Sequence, residues 1–190
     1  LPVANVRELV AYAKANPGKL TYGSSGMGNS AFLAAELFQR AAGIEMVHVP
    51  YKGNAPAMAD LLAGHIDLLF DTVQNTQPNL AGGRIRALAA TSPQRLSILP
   101  DLPTVAESGF PGYQFSVWYA LVAPRDTPAP IVERLNRAIN KVVTEPGMKG
   151  RFAAQGAELT ASTPAGCTGL VRAELASWTA LFQSLGIKPE

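Results

Sequence analysis

The chain has 190 residues, enough for one large domain or two small ones with a sizeable core. Apolar residues make up 47% and charged residues 16%, the balance of a globular chain rather than a disordered one. The 16 Lys and Arg nearly match the 14 Asp and Glu and form no run or stripe, which argues against a nucleic-acid partner. A single cysteine, Cys167, excludes an internal disulfide and a cysteine-built metal site, and its surroundings read as structural rather than reactive. No apolar run approaches the roughly 18 to 20 residues of a membrane-spanning helix. The chain opens on Leu1 rather than Met and shows no secretory signal of its own.

Val6, Leu9, Val10 and Ala13 recur at helical spacing and predict a helix over 6–15, stopped by Asn16-Pro17-Gly18. Short units then alternate. A strand over 20–24 leads to a helix over 30–42 with Ser30 as its N-cap, and a strand over 45–49 leads through Pro50-Tyr51-Lys52-Gly53-Asn54 to a helix over 55–63. A strand over 66–70 precedes a short helix over 76–81, and 84–90 reads as a further strand. Repeated strand-turn-helix units imply an α/β fold, a mostly parallel sheet flanked by helices on both faces. Pro103 and Gly109 bracket a short helix, 115–122 is strand-like, and a helix runs from Thr127 or Pro128 to about Val143. A second short helix follows Pro146, 157–160 has strand character, and Thr163 and Pro164 read as N-cap and N1 of a last helix reaching Leu185.

In open parallel sheets ligands sit at the carboxyl ends of the strands. Here the first such end is the loop Gly23-Ser24-Ser25-Gly26-Met27-Gly28-Asn29-Ser30, opening onto a helix. Glycines and small hydroxyls let backbone N–H groups approach a ligand, and a helix N-terminus favours an anion. The plainer reading is a turn that needs glycine for its shape alone. The next strand ends bring Tyr51, Lys52 and Gly53, then Asp71 and Thr72. Asp71 either lines the cleft or caps the following helix; both readings stand at this point.

Gly26 to Ala31 also fits G-x-G-x-x-A, the form of a dinucleotide-binding turn, and makes a nucleotide-dependent oxidoreductase the alternative. That turn requires an acidic residue at the second strand end, where this chain has Tyr51-Lys52; Lys52 could instead meet a 2′-phosphate. Ser24 and Ser25 sit in no G-x-S-x-G elbow, and His48 and His65 lack partners at metal-ligand spacing. The residues therefore favour binding over catalysis and offer no metal site, with the nucleotide-dependent reading kept as the alternative.

Several motifs occur together in order: Gly23-Ser24-Ser25-Gly26, Glu36-Leu37-Phe38, Val49-Pro50-Tyr51-Lys52-Gly53, Ala87 to Ser92, Arg95, Leu99 to Gly109, and Trp118 to Pro124. In them the chain resembles the Bug, or TctC-like, family of periplasmic solute-binding receptors that serve tripartite tricarboxylate transporters. The resemblance implies a non-enzymatic two-lobed receptor in the periplasm, made with a signal peptide, that captures a small carboxylate for membrane permease subunits. Members of that family are longer. By similarity, 1–115 is the second ligand-binding lobe, and 116–190 crosses back to pack on the first. The ligand-binding set it implies is Ser24, Ser25, Gly26, Gly28 and Ser30, flanked by Tyr51, Lys52 and Gly53, with Asp71 and Thr72 further off. Phe32 stands where many relatives have His, which implies a less polar pocket edge. The apolar face of the last helix, with Trp178, Leu181 and Phe182, would need cover, from a second copy of the chain or by folding back.

Overall fold

The computed structural model describes residues 1–184 and 186. It divides into two units, Leu1–Val117 and Trp118–Glu190. The first opens with α1 (Val6–Ala15), whose Asn5 side chain accepts from Glu8 N at 2.9 Å while Glu8 returns a carboxylate to Asn5, a reciprocal cap. Val6, Leu9, Val10 and Ala13 are its buried stripe.

Three short parallel strands form the sheet, in the order β2 (Val47–Pro50), β1 (Thr21–Ser24), β3 (Leu68–Leu69). The central strand pairs on both sides, with Tyr22 opposite His48 and Leu68. Side chains alternate across it. Tyr22 faces α2 (Ser30–Ala42), where its hydroxyl donates to Glu36 at 2.9 Å. Gly23 faces the other way, toward α3 (Asn54–Ala63): a Cβ there would lie 3.3 Å from Ala57 and 2.7 Å from Ile66. Glycine in β1 thus gives α3 room to close on the sheet, since a side chain there would crowd Ala57 and displace the tip of Ile66. α2 buries Phe32, Leu33, Ala35 and Phe38, and Phe38 meets Phe70, Phe110 and Tyr113 with ring centroids 5.9 to 6.1 Å apart. Tyr113, 4% exposed, donates its hydroxyl to the Ala34 carbonyl, and burial pushes its pKa up. α4 (Val73–Ala81) follows β3 and completes the strand-helix series.

Several expected elements take other forms. Ser30 is the first helical residue rather than the cap. Asn29 holds that place, its side chain accepting from Phe32 N at 2.9 Å. Residues 84–90 form no strand, because a strand needs a ladder partner and here only Ala90 finds one, bridging to Thr104. Residues 115–122 and 157–160 likewise join no ladder. The segment after Pro103 is a series of turns, held by Thr104 and Glu107, each of which accepts the other's backbone N–H. Arg95 reaches the same carboxylate at 2.9 Å, and these donors hold Glu107 below the usual carboxylate range.

The second unit carries α5 (Ala129–Thr144), α6 (Pro146–Ala153) and α7 (Pro164–Ser184). Thr163 caps α7 by accepting from Gly166 N at 3.0 Å, and Pro164 is N1, as the sequence predicts; the expected end at Leu185 lies outside the described residues. Asn136 and Asn140 of α5 donate to the Ser162 carbonyl at 2.8 and 2.9 Å, tying the lead-in of α7 to α5. No described residue of this unit is buried. Trp178, Leu181 and Phe182 are half-buried, whereas Leu170 and Leu175 stand more exposed. Among the described residues, no helix is long and apolar enough to cross a membrane.

Two stability measurements follow from the first unit. Asn29→Ala should lower the free energy of unfolding by about 1 kcal/mol in urea denaturation, while Ser30→Ala should change it by no more than a few tenths. The reverse order would return the cap to Ser30. Phe38→Ala should cost about 3 to 5 kcal/mol, the range for emptying a packed aromatic site. A loss under about 1 kcal/mol would show that the cluster is not this unit's core.

Candidate carboxylate-binding site

Because the three strands are parallel, their carboxyl ends lie on one edge, and the order β2-β1-β3 puts the Gly/Ser loop between the other two strand ends. Ser24, the last residue of β1, is fully buried. Its hydroxyl accepts from Gly26 N at 3.1 Å, faces the Gly26 carbonyl at 3.0 Å, and meets His48 Nε2 at 2.6 Å. Ser24 is therefore spent inside the protein and shapes the loop from behind.

Beyond Ser24 the chain comes to the surface. Ser25 is exposed, and its hydroxyl oxygen accepts from Asn29 Nδ2 at 2.5 Å, which leaves its own proton for an outside acceptor. Gly26 and Gly28 adopt φ of 122° and 81°, in the left-handed region that glycine alone enters cheaply. Space is not the reason at Gly26, where an added Cβ would meet nothing within 4 Å. A valine there would strain the backbone whatever the ligand does. Met27, between them, is 74% exposed. Asn29 then caps α2, and the N–H groups of Ser30 and Ala31 precede the helix ladder, with the positive end of the dipole behind them.

At the end of β2, Tyr51 N donates to the Ser24 carbonyl at 2.8 Å, but the phenol turns away to Asp60 at 2.7 Å. Burial and that carboxylate push the Tyr51 pKa up, and the phenol with His65 holds Asp60 down. Lys52 is exposed at the turn. Gly53, at φ 129°, begins α3 with no side-chain cap. Asp71 Oδ1 accepts from Thr72 N at 2.8 Å, from Asn54 Nδ2 at 2.8 Å and from Asn75 Nδ2 at 2.9 Å. Of the two readings open for Asp71, the helix-start one matches this geometry: the carboxylate joins the first turns of α3 and α4. Its Oδ2 is buried with no hydrogen-bond partner. Thr72 is the N-cap of α4, without a side-chain cap bond.

Phe32 does not form the pocket edge expected of it. The ring is 6% exposed and sits edge-on to His48 at 5.0 Å, so it serves the packing behind the loop. Asn29, Asn54 and His48 were not singled out by sequence as parts of this edge. Asn29 and Asn54 carried a signal, each a cap-type residue beside a predicted helix start, whereas the His48 contact depends on strand register. Among the described residues, no group of three His, Cys, Asp or Glu could hold a metal ion.

Comparison with known proteins places the chain. The family model described as "Tripartite tricarboxylate transporter family receptor" matches residues 1–187. A protein of Pseudomonas sp. (strain P51), "UPF0065 protein in tcbD-tcbE intergenic region", is 38% identical over 179 residues, which are 94% of this chain and 53% of that protein. The chain thus spans about half the length of that relative. The solved structure "R. palustris Rpa4515 with adipate" superposes with a TM-score of 0.90 at 38% identity, over 100% of this chain and 64% of that one. The "Structure of periplasmic binding protein BugD" gives 0.84 at 33% identity, over 100% and 64%. The α/β fold with its parallel sheet is that of periplasmic binding proteins. The oxidoreductase alternative finds no support in these matches, and the second strand end lacks the acidic residue that it needs. The chain belongs to the tripartite tricarboxylate transporter receptor family.

Proposed function

We infer that this chain belongs to a periplasmic solute receptor that captures a small carboxylate and delivers it to the permease subunits of a tripartite transporter, without catalysing a reaction. The observation that carries the reading is the turn through Gly26 and Gly28, both glycines left-handed, at the N-terminus of α2. It aims neutral donors outward at a helix end, an arrangement that favours an anion and needs little reordering when one binds. The structural relative with adipate supports a dicarboxylate as ligand. Ser25, Gly28 and Ser30 donate to one carboxylate, while Gly26, whose N–H goes to Ser24 Oγ, gives the turn its shape and Ser24 holds it from behind. Tyr51, Lys52 and Gly53 form one flank of the cleft. Asp71 and Thr72 form the other, where the carboxylate of Asp71 sets the two helix starts. Exposed Met27 offers an apolar surface to the ligand's methylene chain. The unit Trp118–Glu190 packs on the other lobe of the whole receptor; its exposed Leu135, Leu170 and Leu175 support this, as does the greater length of the relatives.

Isothermal calorimetry on the whole protein tests the reading, with adipate as probe and hexanoate as its single-carboxylate control. Adipate should bind at least tenfold more tightly, a difference of about 1.4 kcal/mol or more. Ser25→Ala, which leaves the backbone alone, should weaken adipate by about tenfold, the range for losing one hydrogen bond to a charged group. Gly26→Val should weaken it at least as much and also lower the melting temperature, because of the φ at that position. Tyr51→Phe should stay within about twofold, since its hydroxyl serves Asp60. Wild-type affinity in Ser25→Ala and Gly26→Val together would remove the loop from the site.

A further inference from the structure

Behind the loop lies a contact that ligand capture by backbone donors does not itself require. Tyr22 is registered against His48 in the β1–β2 pair, and Ser24, two residues on from Tyr22, points to the same face. The His48 imidazole is clasped there between two rings. Tyr22 stacks on it at 5.1 Å with planes 28° apart, and Phe32 meets it edge-on at 5.0 Å. So held, the ring presents Nε2 to Ser24 Oγ at 2.6 Å. The Ser24 hydroxyl has one proton and two acceptors in reach, the Gly26 carbonyl at 3.0 Å and this nitrogen. An unprotonated Nε2 takes the proton. A protonated ring donates instead, and the serine proton then goes to Gly26.

We propose that His48 is the positioning residue of the Gly/Ser loop: through Ser24 it fixes Gly26 in its left-handed conformation, and protonation of the ring tightens that hold and strengthens carboxylate binding. The binding half of this statement rests on the receptor reading; the positioning half does not. The groups packed on the imidazole are Tyr22 and Ser24 from β1 and Phe32 from α2, and the Glu36 carboxylate of α2, which accepts from Tyr22, favours the charged ring. Burial opposes it and prevails, so His48 titrates below its ordinary value. A carboxylate on the loop adds a negative charge on the far side of Ser24 and favours the protonated ring, and by linkage the proton favours the carboxylate equally. Fold stability runs the other way. With a folded pKa below the unfolded one, the unfolded chain binds the proton first, so this contribution is full above about pH 6.5 and declines as pH falls below it. A merely structural histidine would show only that decline.

The test uses the whole protein, its Gly26 amide and His48 ring followed by NMR from pH 8 to pH 5, with adipate as binding probe. Both signals should move with one midpoint below about 6.5. His48→Gln keeps a polar atom near Nε2 but cannot titrate; it should abolish the Gly26 movement and hold adipate within about threefold of wild type at pH 8. His48→Phe keeps the ring packing and loses the hydrogen bond, and should bind adipate about tenfold more weakly without a fall in melting temperature. The wild-type to Gln affinity ratio should rise about threefold between pH 8 and pH 6, the Gln variant correcting for titration of adipate itself. A Gly26 amide that ignores His48, or titrates unchanged in the Gln variant, would overturn the positioning role. A ratio that is flat or falls would overturn the coupling to binding. If adipate binds neither protein while Gly26 still follows His48, the ligand class is wrong and the positioning role stands.

Discussion

Parallel pairing of β1 with neighbours on both sides is the constraint on which the site depends. Parallel strands end on the same edge, so every turn that follows one opens there. The central position of β1 then puts the Gly/Ser turn between the turns after β2 and β3. Pairing also decides what lies beneath. The register that sets Tyr22 against His48 puts an imidazole next to the last residue of β1, and the glycine at position 23 leaves room for α3 on the opposite face. One strand thus supplies the loop, its support and the packing of both helix layers.

Charge on this edge is carried mainly by backbone. The exposed turn offers N–H groups and a serine hydroxyl, while the phenols and carboxylates nearby are occupied inside the protein and Lys52 stands exposed at the neighbouring turn. Tyr51 serves Asp60, Glu36 accepts from Tyr22, and Asp71 holds the starts of α3 and α4. Neutral donors fixed by left-handed glycines bind an anion without burying a fixed counter-charge, whose desolvation costs several kcal/mol per ion. An edge built this way discriminates by where its donors point more than by net charge.

Much of this was legible in the sequence, and the misses have physical causes. Helices α1 to α7 are legible because their apolar spacing is local, and the loop because glycine and serine before a helix have a local meaning, whereas the short helix expected between Pro103 and Gly109 is a series of turns. The strand expected over 84–90 has the right composition, but a strand exists only with a partner, and pairing is a long-range fact. Ser30 and Asn29 are both good caps, and adjacent candidates can be separated only by which carbonyl starts the ladder, here that of Asn29. Ser24 reads as a ligand donor by type, yet it is buried: it closes the strand where the sequence ends it, and its side chain falls on the face that His48 occupies. Phe32 and His48 meet across helix and sheet, a contact that no spacing along the chain encodes.

The most direct measurement is a map of backbone amide shifts as adipate is added to the whole, isotopically labelled protein. The account predicts the largest changes at Ser25 to Ala31, with smaller ones at Tyr51 to Asn54 and Asp71 to Val73. Saturable changes centred elsewhere, for example on the apolar groove of Val73, Leu80, Ile98 and Leu99, with the Gly26 and Gly28 amides unmoved, would contradict it.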